Sequence, residues 1–300
     1  MSDGGVAGQE LLVPGSVSNL GPGFDTLSVA VQVYLHLRIV QLRPDVPDSI
    51  ETTFEGAAPG GDNRIETAFR HARARIGIPT PGVRIRVRSD IPTRAGLGSS
   101  GAATMAGLRL YELLTAPLAV EDLLALACDV EGHPDNAAAS RLGGLTVSCQ
   151  CDDRRVIARS WPWPAAIQLV VGTPDAQLET AHARRVLPSE ITLRDAIFNL
   201  QRAVLMVHAF GSGQYSDLRE ALRDRWHQPA RAALVPGLSD ALELEDDAIL
   251  GACLSGAGPS IVLFTAGRAA EARTRLGELY QRLGMASTIR VLAAHQPAAS

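Results

Sequence analysis

Apolar residues recur along this chain in two rhythms. From Val29 to Val40 they take every second position (Val29, Val31, Val33, Leu35, Leu37, Ile39), against Ala30, Gln32, Tyr34, His36, Arg38 and Val40. A period of two with one largely polar side predicts a half-buried strand, and such strands belong to antiparallel or mixed sheets covered on one face. Val83 to Arg88 repeats the alternation, with Arg84, Arg86 and Arg88 on the polar side. Short apolar runs predict strands at Leu11–Val13, Ile50–Phe54, Ile167–Val171 and Ser287–Leu292, and Ile249–Phe264 reads as strand, turn, strand.

The second rhythm is helical. Arg64–Ile76 follows a cap at Asp62 or Asn63 and stops at Gly77 before Pro79. Ser100–Thr115 sets Ala103, Ala106, Leu110, Leu113 and Leu114 on one stripe and ends before Pro117. Further helices are predicted over Val120–Glu131, Leu193–Phe210, Ser216–Trp226 and Gly267–Gly284. Between the regular stretches lie a turn-rich segment, Pro14–Asp25, and a variable connection, Pro44–Gly61. Leu142-Gly-Gly reads as a turn into a strand, and Trp161-Pro-Trp-Pro as a junction, since alternate prolines forbid helix and central strand alike. A boundary there divides the chain into residues 1–160 and 161–300.

Composition narrows the classes. With 300 residues, 46% hydrophobic and 20% charged, the chain can bury a substantial core. A net charge of −4 argues against a nucleic-acid or membrane surface, and the three strand arginines, without interleaved aromatics, read as a solvated face. Met1–Glu10 has neither the basic nor the apolar region of a signal peptide, and no apolar run would span a bilayer; a cytoplasmic protein is expected. Cys128, Cys149, Cys151 and Cys253 form no disulfide framework or zinc pattern and are expected to be small buried residues.

The chemistry centres on Ile91–Thr104, where a strand enters a glycine-rich turn and a long helix leaves it. Amides at a helix start lack intrahelical partners and sit at the positive end of the dipole, so the turn can hold an anion. Gly96-Leu-Gly98-Ser-Ser-Gly101 matches a dinucleotide fingerprint, with Glu121 and Asp122 at about the right distance. The context does not fit: the strand is half polar, Pro92–Ala95 intervenes, and those acids open another helix. The loop lacks the lysine of a Walker motif. What remains is a phosphate cradle with Ser99 and Ser100 at the helix mouth, which needs a cation to offset phosphate charge. Glu131 is the nearest carboxylate at a helix end to share Mg²⁺ with it.

Pro92-x-x-x-Gly96-Leu-Gly98-Ser-Ser resembles the phosphate motif of the GHMP kinases, and Leu254-Ser-Gly-Ala-Gly-Pro259 resembles their third motif. Pro14–Tyr34, Glu131-Gly-His-Pro-Asp-Asn136 with Leu142-Gly-Gly, Thr180–Pro188 and Asp224–Arg231 are similar to stretches of the homoserine kinase branch, in the same order. The resemblance implies a two-domain α+β fold with mixed or antiparallel sheets and the active site in the interdomain cleft. It also implies ATP-dependent, Mg²⁺-assisted phosphorylation of the side-chain hydroxyl of L-homoserine, a step toward threonine.

By motif position, Asn19 and Asp25 should hold the substrate's amino group and backbone. His133 and Asn136 should lie near the reacting hydroxyl, and Thr180, Arg184 and Arg231 should take the carboxylate. Pro92, Thr93, Arg94, Ala95, Gly96, Leu97, Gly98, Ser99, Ser100, Gly101 and Ala102 should wrap the triphosphate, with Ser99 or Ser100 and Glu131 on Mg²⁺ and Asn63 near the base. An ammonium needs a carboxylate partner, and guanidinium matches carboxylate geometry. Asn136 stands where other branches use an aspartate base; it is expected to orient the hydroxyl, with the proton leaving late. Asp135 is the rival base, although its place in a turn suggests capping. A homodimer is implied by the resemblance alone. Gly101 replaces a usual alanine and Leu27-Ser-Val-Ala a more glycine-rich run, which leaves room for an altered substrate. The alternatives are a kinase of the same superfamily for a mevalonate-like or sugar alcohol, and a non-catalytic nucleotide-binding regulator.

Overall fold

A computed structural model describes residues 6–56 and 61–298; the start of the N-terminal stretch and 57–60 of the Pro44–Gly61 connection lie outside the described residues. The first half runs β1 (Glu10–Ser18), β2 (Leu27–Arg43), β3 (Ile50–Phe54), α1 (Arg64–Ile76), β4 (Gly82–Ser89), α2 (Ser99–Leu114), α3 (Val120–Glu131), α4 (Asp135–Leu142), β5 (Leu145–Gln150) and β6 (Val156–Trp161). Its strands form one mixed sheet in the order β3-β4-β2-β5-β6, with β1 also on β2. β3 and β4 are parallel and the other pairs antiparallel.

The long β2 is the axis of this sheet. Val29, Val31, Leu37 and Ile39 are fully buried, while Gln32, Arg38 and Val40 face out, as a sheet covered on one side requires. α2 and α4 pack on β1 on the covered side. On the open side Arg84 pairs with Glu51, Arg86 with Glu55 and Arg88 with Asp90, so the arginine face is neutralised.

The second half runs β7 (Ile167–Pro174), α5 (Thr180–Arg185), α6 (Leu193–Ser212), a 3-10 turn over Tyr215–Asp217, α7 (Leu218–Ala221), α8 (His227–Arg231), α9 (Leu238–Leu242), β8 (Gly251–Leu254), β9 (Ile261–Ala266), α10 (Ala269–Arg282) and β10 (Ser287–Leu292). Its antiparallel sheet has the order β10-β7-β9-β8. The chain passes between the sheets over 162–166. The halves share an apolar cluster, in which Ile167, Leu169, Met206 and Phe264 join β1 and β2 side chains. The tail also returns: Gln32 N–H donates to Ala293 and His295 N–H to Ala30.

Four local expectations change. β1 does not stop at Val13 but runs to Ser18, because Pro14, which has no N–H to give, sits at a register shift against β2 where the ladder is already broken. No single helix covers Ser216–Trp226. The carboxylate of Asp224 accepts from the backbone N–H of Trp226 (2.8 Å) and Gln228 (2.6 Å), which ends one helical piece and starts α8. The buried face of α2 is wider than one stripe and includes Ala102, Met105, Leu108 and Tyr111, since sheet and helices cover it from several sides. Cys128 and Cys253 are buried, but Cys149 is exposed and Cys151 half-exposed, because β5 runs out into solvent at its end. Among the described residues no helix is long and apolar enough to cross a membrane.

Candidate active site

The glycine turn is held by its carbonyls. Gly96 O accepts from Ser255 Oγ (2.6 Å), Leu97 O from Ser16 N (3.1 Å) and Ala95 O from Ser260 N (3.2 Å). Gly96 (φ 79°) and Gly98 (φ 71°) are both left-handed, and Gly98 caps α2. A Cβ on Gly96 would lie 2.2 Å from Ser255 O, and one on Gly98 2.2 Å from Ser16 Oγ. The carbonyls therefore face the protein and the helix-start amides of α2 remain for an anion, with no acid in the first turn to oppose it.

At the mouth of α2 the carboxylate of Glu131, the last residue of α3, accepts from Ser100 Oγ (2.9 Å) and Thr104 Oγ1 (2.6 Å). Thr104 was not anticipated; it lies one turn beyond Ser100 on the same helix face. Ser99 is half-buried beside them. This is a set of hard oxygen donors next to the phosphate cradle, the chemistry that suits Mg²⁺.

Both halves contribute to a charged group a short way off. The β1–β2 loop turns through Asn19 (φ 72°), Leu20 (φ 43°) and Asp25 (φ 53°), conformations that disfavour most side chains. The Asn19 amide stabilises this turn: Nδ2 donates to Gly256 O (2.9 Å) and Oδ1 accepts from Asp25 N (3.0 Å). Asp25 meets Arg184 of α5 in a bidentate pair (2.6 and 3.0 Å). Arg231, at the end of α8, is 1% exposed. Its Nε donates to Ala183 O (3.0 Å) and its Nη1 to Gly256 O (3.1 Å) and His227 Nδ1 (3.2 Å). Burial and the Arg184 charge lower its pKa to about 10, Asp25 and Asp224 opposing the shift. Among the described residues no carboxylate is within ion-pair distance of it. Both guanidinium groups lie over the Phe24 ring, that of Arg184 at 5.4 Å and that of Arg231 at 5.3 Å from its centroid.

The turn before α4 supplies the remaining groups. Asp135 does not cap; its buried carboxylate accepts from His133 Nδ1 at 2.6 Å. Burial opposes a charge on His133, yet the hydrogen bond and charge of Asp135, with Asp25 behind them, outweigh it and raise the imidazole pKa. Asp25, His133 and Asp135 have polar atoms within 4.8 Å of one another. Asn136 packs on the glycine turn; its Oδ1 accepts from Ser16 Oγ (2.8 Å) and its Nδ2 donates to Asp135 Oδ1 (3.4 Å), which leaves one N–H to donate. A Cβ on Gly101 would stand 2.7 Å from Asn136 Cβ, so the glycine at that position gives Asn136 its room.

The structure thus gathers Asp25, His133, Asn136, Arg184 and Arg231, with Asn19 as the fastener of their loop. Several expected residues stand differently. Thr180 is exposed at the start of α5, and among the described residues no hydrogen bond joins it to the group. Asn63 is spent as the α1 cap, its Oδ1 accepting from Ile65 N and its Nδ2 donating to Glu66. Pro92, Thr93 and Ala95 line a cavity of about 480 Å³ together with Thr173–Gln177 and Arg290, a lining that does not include Asp25 or His133. Arg94, on the same stretch, is exposed and pairs with Glu179.

Residues 63–144 match the GHMP kinase N-terminal domain and residues 206–282 the GHMP kinase C-terminal domain. Homoserine kinase of Moorella thermoacetica is 35% identical over 94% of this chain and 95% of its own. The crystal structure of homoserine kinase from Cytophaga hutchinsonii superposes with a TM-score of 0.83 at 26% identity, covering 99% and 98% of the two chains. Lactococcus lactis galactokinase, solved with galactose, shares the fold alone, at TM-score 0.71 and 15% identity. Two sheets, a glycine cradle and a charged group fed by both halves are the frame of a small-molecule kinase of the GHMP class, whose phosphate donor is ATP. Within that class the chain belongs to the homoserine kinase family.

Proposed function

We propose that the chain transfers the γ-phosphoryl group of ATP to the side-chain hydroxyl of L-homoserine, giving O-phospho-L-homoserine. One observation carries the choice of substrate. Arg231 is a buried guanidinium whose hydrogen-bond partners are neutral, beside an Asp25–Arg184 pair that is half-exposed. A buried cation without a counter-ion is costly unless a ligand supplies one. A zwitterionic amino acid supplies it, its carboxylate meeting Arg231 and Arg184 and its ammonium meeting Asp25 as the internal pair opens.

Phosphoryl transfer calls mainly for positioning and charge stabilisation. The α2 amides and residues 96–102 hold the phosphates. Glu131, with Ser99 or Ser100, fits a Mg²⁺ ion, which would supply charge neutralisation at the phosphates. Asn136, its oxygen tied to Ser16, donates its amide N–H toward the substrate hydroxyl. His133, held by Asp135, offers its free Nε2 to the same region. The hydroxyl proton leaves late, to phosphate or water, since an amide takes no proton near neutrality.

A mevalonate-like or sugar alcohol lacks the ammonium that Asp25 answers. A non-catalytic regulator would not need the Glu131, Ser100 and Thr104 oxygens. Comparing L-homoserine with 3-amino-1-propanol, which lacks only the carboxylate, tests the reading. Loss of a buried charge partner is worth about 4 kcal/mol, so kcat/KM should fall roughly a thousand-fold. Equal turnover of both would overturn it.

Dependence on ATP suits a cytoplasmic location. We also infer a homodimer through α6, where Leu193, Ile197, Leu200, Val204 and Val207 are exposed at coiled-coil spacing. No charged residue stands on that stripe, since Arg194, Asp195 and Arg202 of α6 lie off it, so a second copy can lie antiparallel on it. Leu200→Glu should yield monomer by light scattering, and an unchanged mass would contradict this.

A further inference from the structure

Against the guanidinium of Arg231 lies a titratable group that the transfer does not use. His227 opens α8, four residues before Arg231 and therefore on the same helix face, and is completely buried. Its Nε2 is 2.7 Å from Gly21 O, and its Nδ1 is 3.2 Å from Arg231 Nη1. A carbonyl oxygen can only accept and a guanidinium can only donate. Nε2 therefore carries the proton and Nδ1 is bare, which makes His227 the neutral tautomer with both nitrogens used. Burial and the Arg231 charge keep it neutral, against Asp224 at 3.5 Å and the more distant Asp25.

The element at the other end of this link is closely packed. Gly21 (φ 69°) admits no side chain, because a Cβ would lie 2.2 Å from Leu222 O. It sits in the loop that carries Asn19 and Asp25. Asn19 in turn donates to Gly256 O, the carbonyl that Arg231 also uses. Loop, imidazole, guanidinium and Gly256 thus form a closed ring of hydrogen bonds around the carboxylate-binding end of the site.

We infer that His227 is a positioning residue for the amino-acid substrate. It sets the plane of Arg231 through Nδ1, while the Nε2–H bond to Gly21 O serves to fix the tautomer and ring that present Nδ1, so that the carboxylate end of the zwitterion meets a guanidinium of fixed orientation. The inference rests on the reading of Arg231 as a carboxylate partner.

The test compares three variants by steady-state ADP release, with Arg231→Met as the control. His227→Asn keeps an acceptor near the place of Nδ1, His227→Gln keeps a donor near the place of Nε2, and His227→Leu keeps neither. His227→Leu and His227→Gln should raise KM for L-homoserine by about tenfold or more, the scale of one hydrogen bond to a charged group. KM for ATP should stay within about twofold of wild type, on the uniform-binding reading of such a change. His227→Asn should restore most of the homoserine affinity. If the leucine variant does not fold, the Asn and Gln pair carries the comparison. Equal homoserine KM in the Asn and Gln variants, or equal rises for both substrates, would overturn the inference. If Arg231→Met raises KM while no His227 variant does, only the role of His227 fails; if Arg231→Met leaves KM unchanged, the carboxylate reading fails as well.

Discussion

Replacing Gly96 with alanine perturbs the phosphate cradle at its tightest contact. The backbone there is left-handed (φ 79°), which costs an L-residue about 1 kcal/mol. The added Cβ would also lie 2.2 Å from Ser255 O and 3.0 Å from Gly258 O, both main-chain atoms that cannot swing aside. Overpacking of this kind adds about 1–3 kcal/mol. Gly267 is a matched control: its φ is 71°, and no atom lies within 4 Å of the Cβ position. At about 2–4 °C per kcal/mol, Gly267→Ala should lower Tm by a few degrees and Gly96→Ala by roughly 5–15 °C. Part of the strain can be relieved by moving the turn, which shows as a raised KM for ATP in a coupled ADP assay while KM for L-homoserine stays near wild type. Equal melting temperatures for the two variants, with an unchanged KM for ATP in Gly96→Ala, would refute the view that the turn is wedged between Ser255 and Ser16.

Asn136→Asp should not raise kcat or create a new acidic limb in its pH profile, because transfer needs orientation more than a base; a large gain would restore the aspartate-base mechanism. Glu131→Gln should shift the Mg²⁺ concentration for half-maximal activity upward by about tenfold or more, as expected when a hard carboxylate ligand is lost; an unchanged Mg²⁺ titration would remove Glu131 from the metal. Asp135→Asn should change the pH dependence of stability. A raised folded-state pKa at His133 stabilises fully below the unfolded value near 6.5, and that stability is lost as pH rises through the folded value. The advantage of wild type over the variant should therefore be largest in mild acid and shrink above it, and a pH-independent difference would contradict the coupling.

The regular elements were legible where one rhythm ran uninterrupted. β2 alternates for a dozen residues, and α1 carries its own start in Asn63 and its stop in Gly77, so local rules suffice. They failed where tertiary contacts decide. Pro14 argues for a loop until β2 bulges to accept it, and Ser216–Trp226 has helical periodicity until the Asp224 carboxylate captures the N–H groups ahead of α8. At the site, residue types announced the charges but not their partners. Asp25 and Arg184 are 159 positions apart, and only the fold shows that each satisfies the other. Ser16, Phe24, Thr104 and His227 carried no signal of their own in spacing or composition; they matter through what they touch. Asn63 and Thr180 resembled ligand residues by motif position, yet one is consumed as a helix cap and the other stands outside the charged group.

The most direct test is product identity. Purified protein with ATP, Mg²⁺ and L-homoserine, followed by phosphorus NMR, should yield one equivalent of O-phospho-L-homoserine per ADP. Mevalonate and galactose under the same conditions should give no ADP above background. ADP release with either alcohol and none with L-homoserine would contradict the account at its centre.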